Sequence, residues 1–121
     1  MPRYKMLVRS HPIAGREADY NRWYQDVHLS DVVDIPGFVA AQRFRVAEEV
    51  SGDDKPPYLA VYEIEAVDAQ TAKAALISAS MSGAVRMEPV IDLSRTDSAI
   101  YELFGDEVLT KKPANVETIG E

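Results

Sequence analysis

Residues 4 to 11, YKMLVRSH, alternate. Tyr4, Met6 and Val8 fall on one side and Lys5, Leu7 and Arg9 on the other, which is the period of a strand. After Pro12 the period lengthens. GREADYNRWYQDVH (15–28) reads as a helix, with Glu17 and Asp19 in a first turn where carboxylates complement the helix dipole. Pro36-Gly37 breaks it, and FVAAQRFRV (38–46) is a second strand. The polar AEEVSGDDKPP (47–57) predicts an exposed hairpin loop, and YLAVYEIEA (58–66) a third strand. Asp68 is the expected N-cap of an alanine-rich helix running to about Ser80 and closed by Gly83. AIYELF (99–104) predicts a fourth strand, and 105–121 a tail or arm following a domain over 1–104.

The order β-α-β-β-α-β is that of the α+β, ferredoxin-like class: a four-stranded antiparallel sheet with two helices on one face. Strict alternation sorts the strand residues. Met6, Val8, Phe38, Ala40, Phe44, Ala60, Tyr62, Ile64, Ile100 and Phe104 are expected to meet the helices. Leu7, Arg9, Val39, Ala41, Arg43, Arg45, Leu59, Val61, Glu63, Glu65, Tyr101 and Leu103 fall on the other face. That face is half apolar, which calls for a partner surface. Two such sheets face to face would make a homodimer, enclosing Arg9, Arg43 and Glu63.

At 100° per residue, Trp23, Val27, Tyr20, Tyr24 and His28 lie within an arc of about 140°. Val27 and Tyr20, at its centre, belong against the sheet; His28 is at one border beside Asn21 and Glu17, Trp23 at the other. Most such aromatic stripes are core packing. His28, expected where the helix ends, has two readings. It caps carbonyls of the last turn, or it exchanges protons, being the side chain that titrates nearest neutrality. A helix C-terminus would favour its charged form. His11, before Pro12, is read first as a turn residue that could also border the cavity. Arg43 either anchors a ligand carboxylate or phenolate, or pairs with Glu63 across the strands.

The totals narrow the chemistry. The 121 residues suit one domain, and a formal net charge of −7 argues against nucleic acid and anionic membrane surfaces. There are no cysteines, in keeping with a reducing cytoplasm, and only two histidines, so no metal and no cofactor is expected. No run approaches a membrane span, and Met1-Pro2-Arg3-Tyr4 enters a strand directly, so no secretory leader is expected. Phosphate loops, G-x-S-x-G, H-E-x-x-H and dinucleotide fingerprints are absent from the sequence.

GREADYNRWYQDVHLSDVVDIPGFVAAQRF (15–44) resembles the signature of the EthD-like branch of the dimeric α/β-barrel proteins: an aromatic pair, a histidine further along the helix, a Pro-Gly turn, then a strand with Arg. Here these are Trp23-Tyr24, His28, Pro36-Gly37 and Arg43. The resemblance implies a homodimer whose sheets form a barrel, with a small-molecule cleft between sheet and helices. Relatives of this kind include cofactor-free monooxygenases, lactone isomerases, aromatic polyketide cyclases and haem-degrading enzymes. In isomerase-like members a histidine in this region moves protons, which maps onto His28. The haem-degrading Asn-His-Trp pattern is not matched by Asn21, His28 and Trp23, which share one helix in the wrong order. The implied site is His28 as acid/base, Tyr24 as donor to an oxyanion, Arg43 as charge anchor and Trp23 as apolar wall, with Arg9, Tyr20 and Asn21 as further binding residues. The reading is a cofactor-independent enzyme on a small aromatic or lactone-like anion; the alternative is a non-catalytic ligand-binding or stress-associated dimeric module.

Overall fold

The computed structural model describes residues 1–112, so most of the tail assigned to 105–121 lies outside the described residues. The four expected strands are β1 (Arg3–Ser10), β2 (Phe38–Arg45), β3 (Tyr58–Glu65) and β4 (Asp97–Glu102). They form one antiparallel sheet in the order β2-β3-β1-β4, the βαββαβ topology read from the pattern. β4 begins and ends two residues before its expected bounds. Leu103 and Phe104 therefore stand in solvent, and Phe104 does not join the helix face.

The first helix outruns its expected end near His28. It comprises α1 (Glu17–Trp23), a π turn (Tyr24–His28) and α2 (Leu29–Val33). A π turn inserts one residue into the helical ladder, and the buried stripe slips accordingly. Tyr20 and Trp23 are buried before it, Tyr24 at its start, and Leu29 and Val32 after it. Val27, expected at the centre of the stripe, is left partly exposed. Pro36-Gly37 then turns the chain into β2. Gly37 has φ +93°, and a Cβ there would meet the Glu65 carbonyl oxygen at 2.7 Å, so only glycine fits.

α3 (Ala69–Met81) starts where its cap was expected: the Asp68 side chain accepts a hydrogen bond from Thr71 N at 2.7 Å. The segment after it carries no periodic signal, yet buries Val85, Val90 and Ile91. It is stitched to the β1–α1 connection by Ile13 N donating to Val90 O (2.8 Å) and Asp92 N to His11 O (3.0 Å).

One irregularity overturns the parity of β2. Phe38 pairs with Ile64 but Ala40 with Glu63, so Val39 is an extra residue, a β-bulge. Past it every side chain changes face. Ala41 and Arg43 pair with the buried Tyr62 and Ala60 on the helix side. Ala40 and Phe44 pass to the open side, where Phe44 is 50% exposed. Arg43 is thus on the helix face of the sheet, and the expected grouping of Arg9, Arg43 and Glu63 does not form. Glu63 instead pairs with Lys5 at 3.1 Å, which also removes the Arg43–Glu63 ion pair.

Candidate functional site

Displaced to the helix face, Arg43 enters the ring cluster. Its guanidinium carbon lies 4.7 Å from the centroid of Tyr24, 5.4 Å from Tyr58 and 5.7 Å from Tyr20, within cation–π range of all three. Arg43 Nη2 donates to Asn21 Oδ1 at 2.6 Å and Nη1 to the Asn21 carbonyl at 3.4 Å. Asn21 Nδ2 donates to the Tyr58 hydroxyl at 3.1 Å, and that hydroxyl donates to Glu17 Oε2 at 2.5 Å. Asn21, Arg43, Phe44, Arg45 and Tyr58 line a cavity of about 210 Å³ open to solvent. Arg43 has no carboxylate within ion-pair distance among the described residues.

Tyr24 links this cavity to His28. Its ring meets the imidazole edge-on at 5.1 Å, and the imidazole stacks on Trp23 at 4.6 Å. His28 Nδ1 is buried and makes no hydrogen bond among the described residues, and His28 does not cap the helix. Burial pushes its pKa down to about 4, against a smaller opposing pull from Asp31. The charged form expected at a helix end is therefore disfavoured, because the helix continues past His28 and partial burial penalises the charge. Burial also raises the Tyr24 phenol to about 12, which keeps it a hydrogen-bond donor at neutral pH.

Behind His28 the segment after α3 is clasped to the first helix. Asp31 accepts from Arg86 Nε (2.9 Å), Nη2 (2.8 Å) and backbone N (2.9 Å), and Trp23 Nε1 donates to Arg86 O at 3.0 Å. The Arg86 hydrogen bonds hold the Asp31 carboxyl below its usual range.

Of the expected site residues, Tyr20, Asn21, Tyr24 and Arg43 come together, and Trp23 and His28 adjoin them through Tyr24. Arg9 does not; it is on the open face, 3.7 Å from Asp97. His11 sits in the connection beside Asp92, away from the cluster. Tyr58, Ser10, Asp31 and Arg86 escaped the sequence reading, and Glu17 and Tyr62 were placed by it on the helix and the sheet but not at the site. Tyr58 shares the parity of Ala60 and Tyr62 and could have been found by it; the others depend on contacts across the fold.

No protein-family model matches the chain, and no curated protein matches it. Solved structures do. An ethyl tert-butyl ether D (EthD) family protein from Bacillus halodurans superposes with a TM-score of 0.58 at 16% identity, over 86% of this chain and 100% of its own. A DABB family protein with a ferredoxin-like fold from Mesorhizobium loti gives 0.61 at 15%, over 87% and 100%. MhuD, solved with two manganese protoporphyrin IX per active site, gives 0.58 at 18%, over 87% and 98%. The fold is ferredoxin-like. At these identities the likeness establishes that architecture alone, and activity is a separate question.

Proposed function

We propose that this ferredoxin-like chain binds a small anionic metabolite, aromatic or lactone-like, and acts on it as a cofactor-independent enzyme of the EthD type. Arg43 carries this reading. A half-buried guanidinium enclosed by three tyrosine rings, with no carboxylate at ion-pair distance among the described residues in a chain of net charge −7, is a charge waiting for an anion from outside. Asn21 fixes its orientation, and the cavity admits a small ring against Tyr58 and Phe44.

The chemistry this favours is proton transfer at a carbon next to a carbonyl. His28, neutral at pH 7, would accept the proton, while the Tyr24 hydroxyl donates to the enolate oxygen as charge develops there. Return of the proton to another carbon completes an isomerisation, and the same enolate is the starting point for cyclisation, elimination or oxygenation. A bound anion would raise the His28 pKa from its depressed value towards neutrality.

The site is proposed to work in a homodimer joined through the open sheet faces. Leu7, Leu59, Val61, Phe44 and Tyr101 are the apolar residues there, next to a hollow of about 400 Å³ reaching Phe104. Sedimentation at micromolar concentration should return twice the 13.4 kDa of one chain; a monomer would remove this part of the reading.

The decisive test is an NMR titration of His28 with and without a panel of small aromatic acids, in wild type and Arg43→Ala. A histidine pKa that rises on binding, and a response lost in the variant, supports one connected anion site. One observation favours the non-catalytic module instead: His28 does not line the Arg43 cavity. Acid binding that leaves the imidazole unmoved would decide for that module.

A further inference from the structure

The helix face of the sheet holds a second polar feature, deeper than the cavity. Its floor is made of small side chains: Ser10 opposite Tyr58, Ala41 opposite Tyr62, and Ala60 between Arg43 and Val8. Hydroxyls converge above these. Ser10 Oγ and the Tyr20 hydroxyl are 2.5 Å apart and satisfy each other. Tyr24 meets the Tyr20 ring edge-on at 5.4 Å and carries the Arg43 guanidinium over its own ring.

Tyr62 rises from the same floor, 1% exposed, and its hydroxyl has no hydrogen-bond partner among the described residues. A buried hydroxyl left unpaired weakens a fold, and natural proteins keep few of them. The Tyr62 phenol is held far above its ordinary pKa by burial first and by Tyr24 next, so it stays protonated and keeps a proton to offer an acceptor. Tyr24, raised to about 12 by burial, is in the same state, and its hydroxyl lies close enough to that of Tyr62 for each to act on the other's pKa. Two neighbouring phenols, one with an unpaired hydroxyl, stand beside a cation that has no carboxylate at ion-pair distance among the described residues, and a negatively charged oxygen would answer both.

We propose that the Tyr24 and Tyr62 hydroxyls form an oxyanion station that receives the enolate or phenolate oxygen of an aromatic ligand, with Arg43 supplying the compensating charge. This rests on the reading of Arg43 as an anion site, and it adds Tyr62 and the chemical form of the ligand. A phenolate or enolate oxygen can accept both phenol protons at once, and hydrogen bonds to a charged acceptor are the strong ones. Arg43 is wall to the outer cavity and neighbour to Tyr24, so the ligand oxygen reaches the station by passing the guanidinium as Arg43 turns from Asn21.

The probe is 4-nitrophenol, whose phenolate absorbs visible light while the neutral phenol does not, added to the full-length chain beside parallel titrations with benzoate. Wild type should bind the probe and shift it towards phenolate. Tyr62→Phe should weaken that binding by about tenfold or more and cancel most of the shift. Its Tm should equal or exceed that of wild type, because only an unpaired hydroxyl is removed; Tyr24→Phe provides the second, independent loss. If Tyr62→Phe binds 4-nitrophenol as wild type does, the station is overturned. The same holds if benzoate binds through Arg43 and 4-nitrophenol does not; in both cases the Arg43 reading survives. If neither compound binds wild type, both proposals fall.

Discussion

The two faces of the sheet treat charge in opposite ways. On the open face Lys5–Glu63 (3.1 Å), Arg3–Glu65 (2.9 Å) and Arg9–Asp97 (3.7 Å) form a ladder of cross-strand pairs, each basic group answered by an acid. On the helix face Arg43 is the cation of the tyrosine cluster and has no such answer among the described residues. Exposed pairs of the first kind contribute little to stability because water already screens them. An unanswered charge in a half-dry setting costs more, and it persists where something else supplies the counter-charge. The candidate site is thus marked by where pairing stops, more than by where charge is dense.

Four measurements break or sharpen this comparison. The helix face should dominate stability. Trp23→Ala removes a nearly fully buried ring and its hydrogen bond to Arg86 O, and should cost about 3–5 kcal/mol in urea unfolding. A loss under 1 kcal/mol would mean that the helix is not clamped there.

His28 gives the next effect. Its folded pKa, about 4, is below its ordinary 6.5, so the unfolded chain takes up the proton first as pH falls. Stability is therefore full above pH 6.5 and declines through the window down to about 4, by on the order of 3 kcal/mol. His28→Gln should flatten that slope; an unchanged slope would assign it to another group.

Asp31→Asn should cost about 1 kcal/mol at pH 7, a modest figure because Arg86, its partner, is 64% exposed. The sign is the same as that of His28, in a more acid window. The Asp31 pKa is lowered, so its contribution is present above 3.8 and disappears as pH falls through the folded value. Wild type and variant should then converge in strong acid, as chemical unfolding at pH 7 and in acid would record.

The smallest change is expected on the open face. Arg9→Ala should alter stability by about 0.5 kcal/mol or less, and aromatic-acid binding not at all. If Arg9→Ala abolished acid binding while Arg43→Ala did not, the anion site would have to move to the other face.

Much of this was legible along the chain because it is written in local periods. The two-residue alternation of YKMLVRSH and YLAVYEIEA, the breaker at Pro36-Gly37 and the cap at Asp68 each depend on a few consecutive residues. So does the grouping of Tyr20, Trp23 and Tyr24 on one helical stripe. The segment carrying Val85, Arg86, Val90 and Ile91 was silent because it has no period; its burial comes from docking against the first helix and the β1–α1 connection. Tyr62 was legible as an inward residue, but the lack of a partner for its hydroxyl is a property of everything around it.

The sequence by itself determined the βαββαβ order, the antiparallel four-stranded sheet and the ring-bearing helix over it, since patterns of two and 3.6 residues are local and cumulative. Tertiary structure alone decided the site, through two single-residue insertions that no composition reveals. The bulge at Val39 reverses every later side chain of β2 and turns Arg43 under the tyrosines. The π turn at Tyr24–His28 shifts the buried stripe by one and leaves His28 stacked on Trp23 inside the helix. One extra residue barely changes a local pattern, yet in a strand it exchanges the two faces, and that exchange makes a cation among rings out of what alternation had placed in the open.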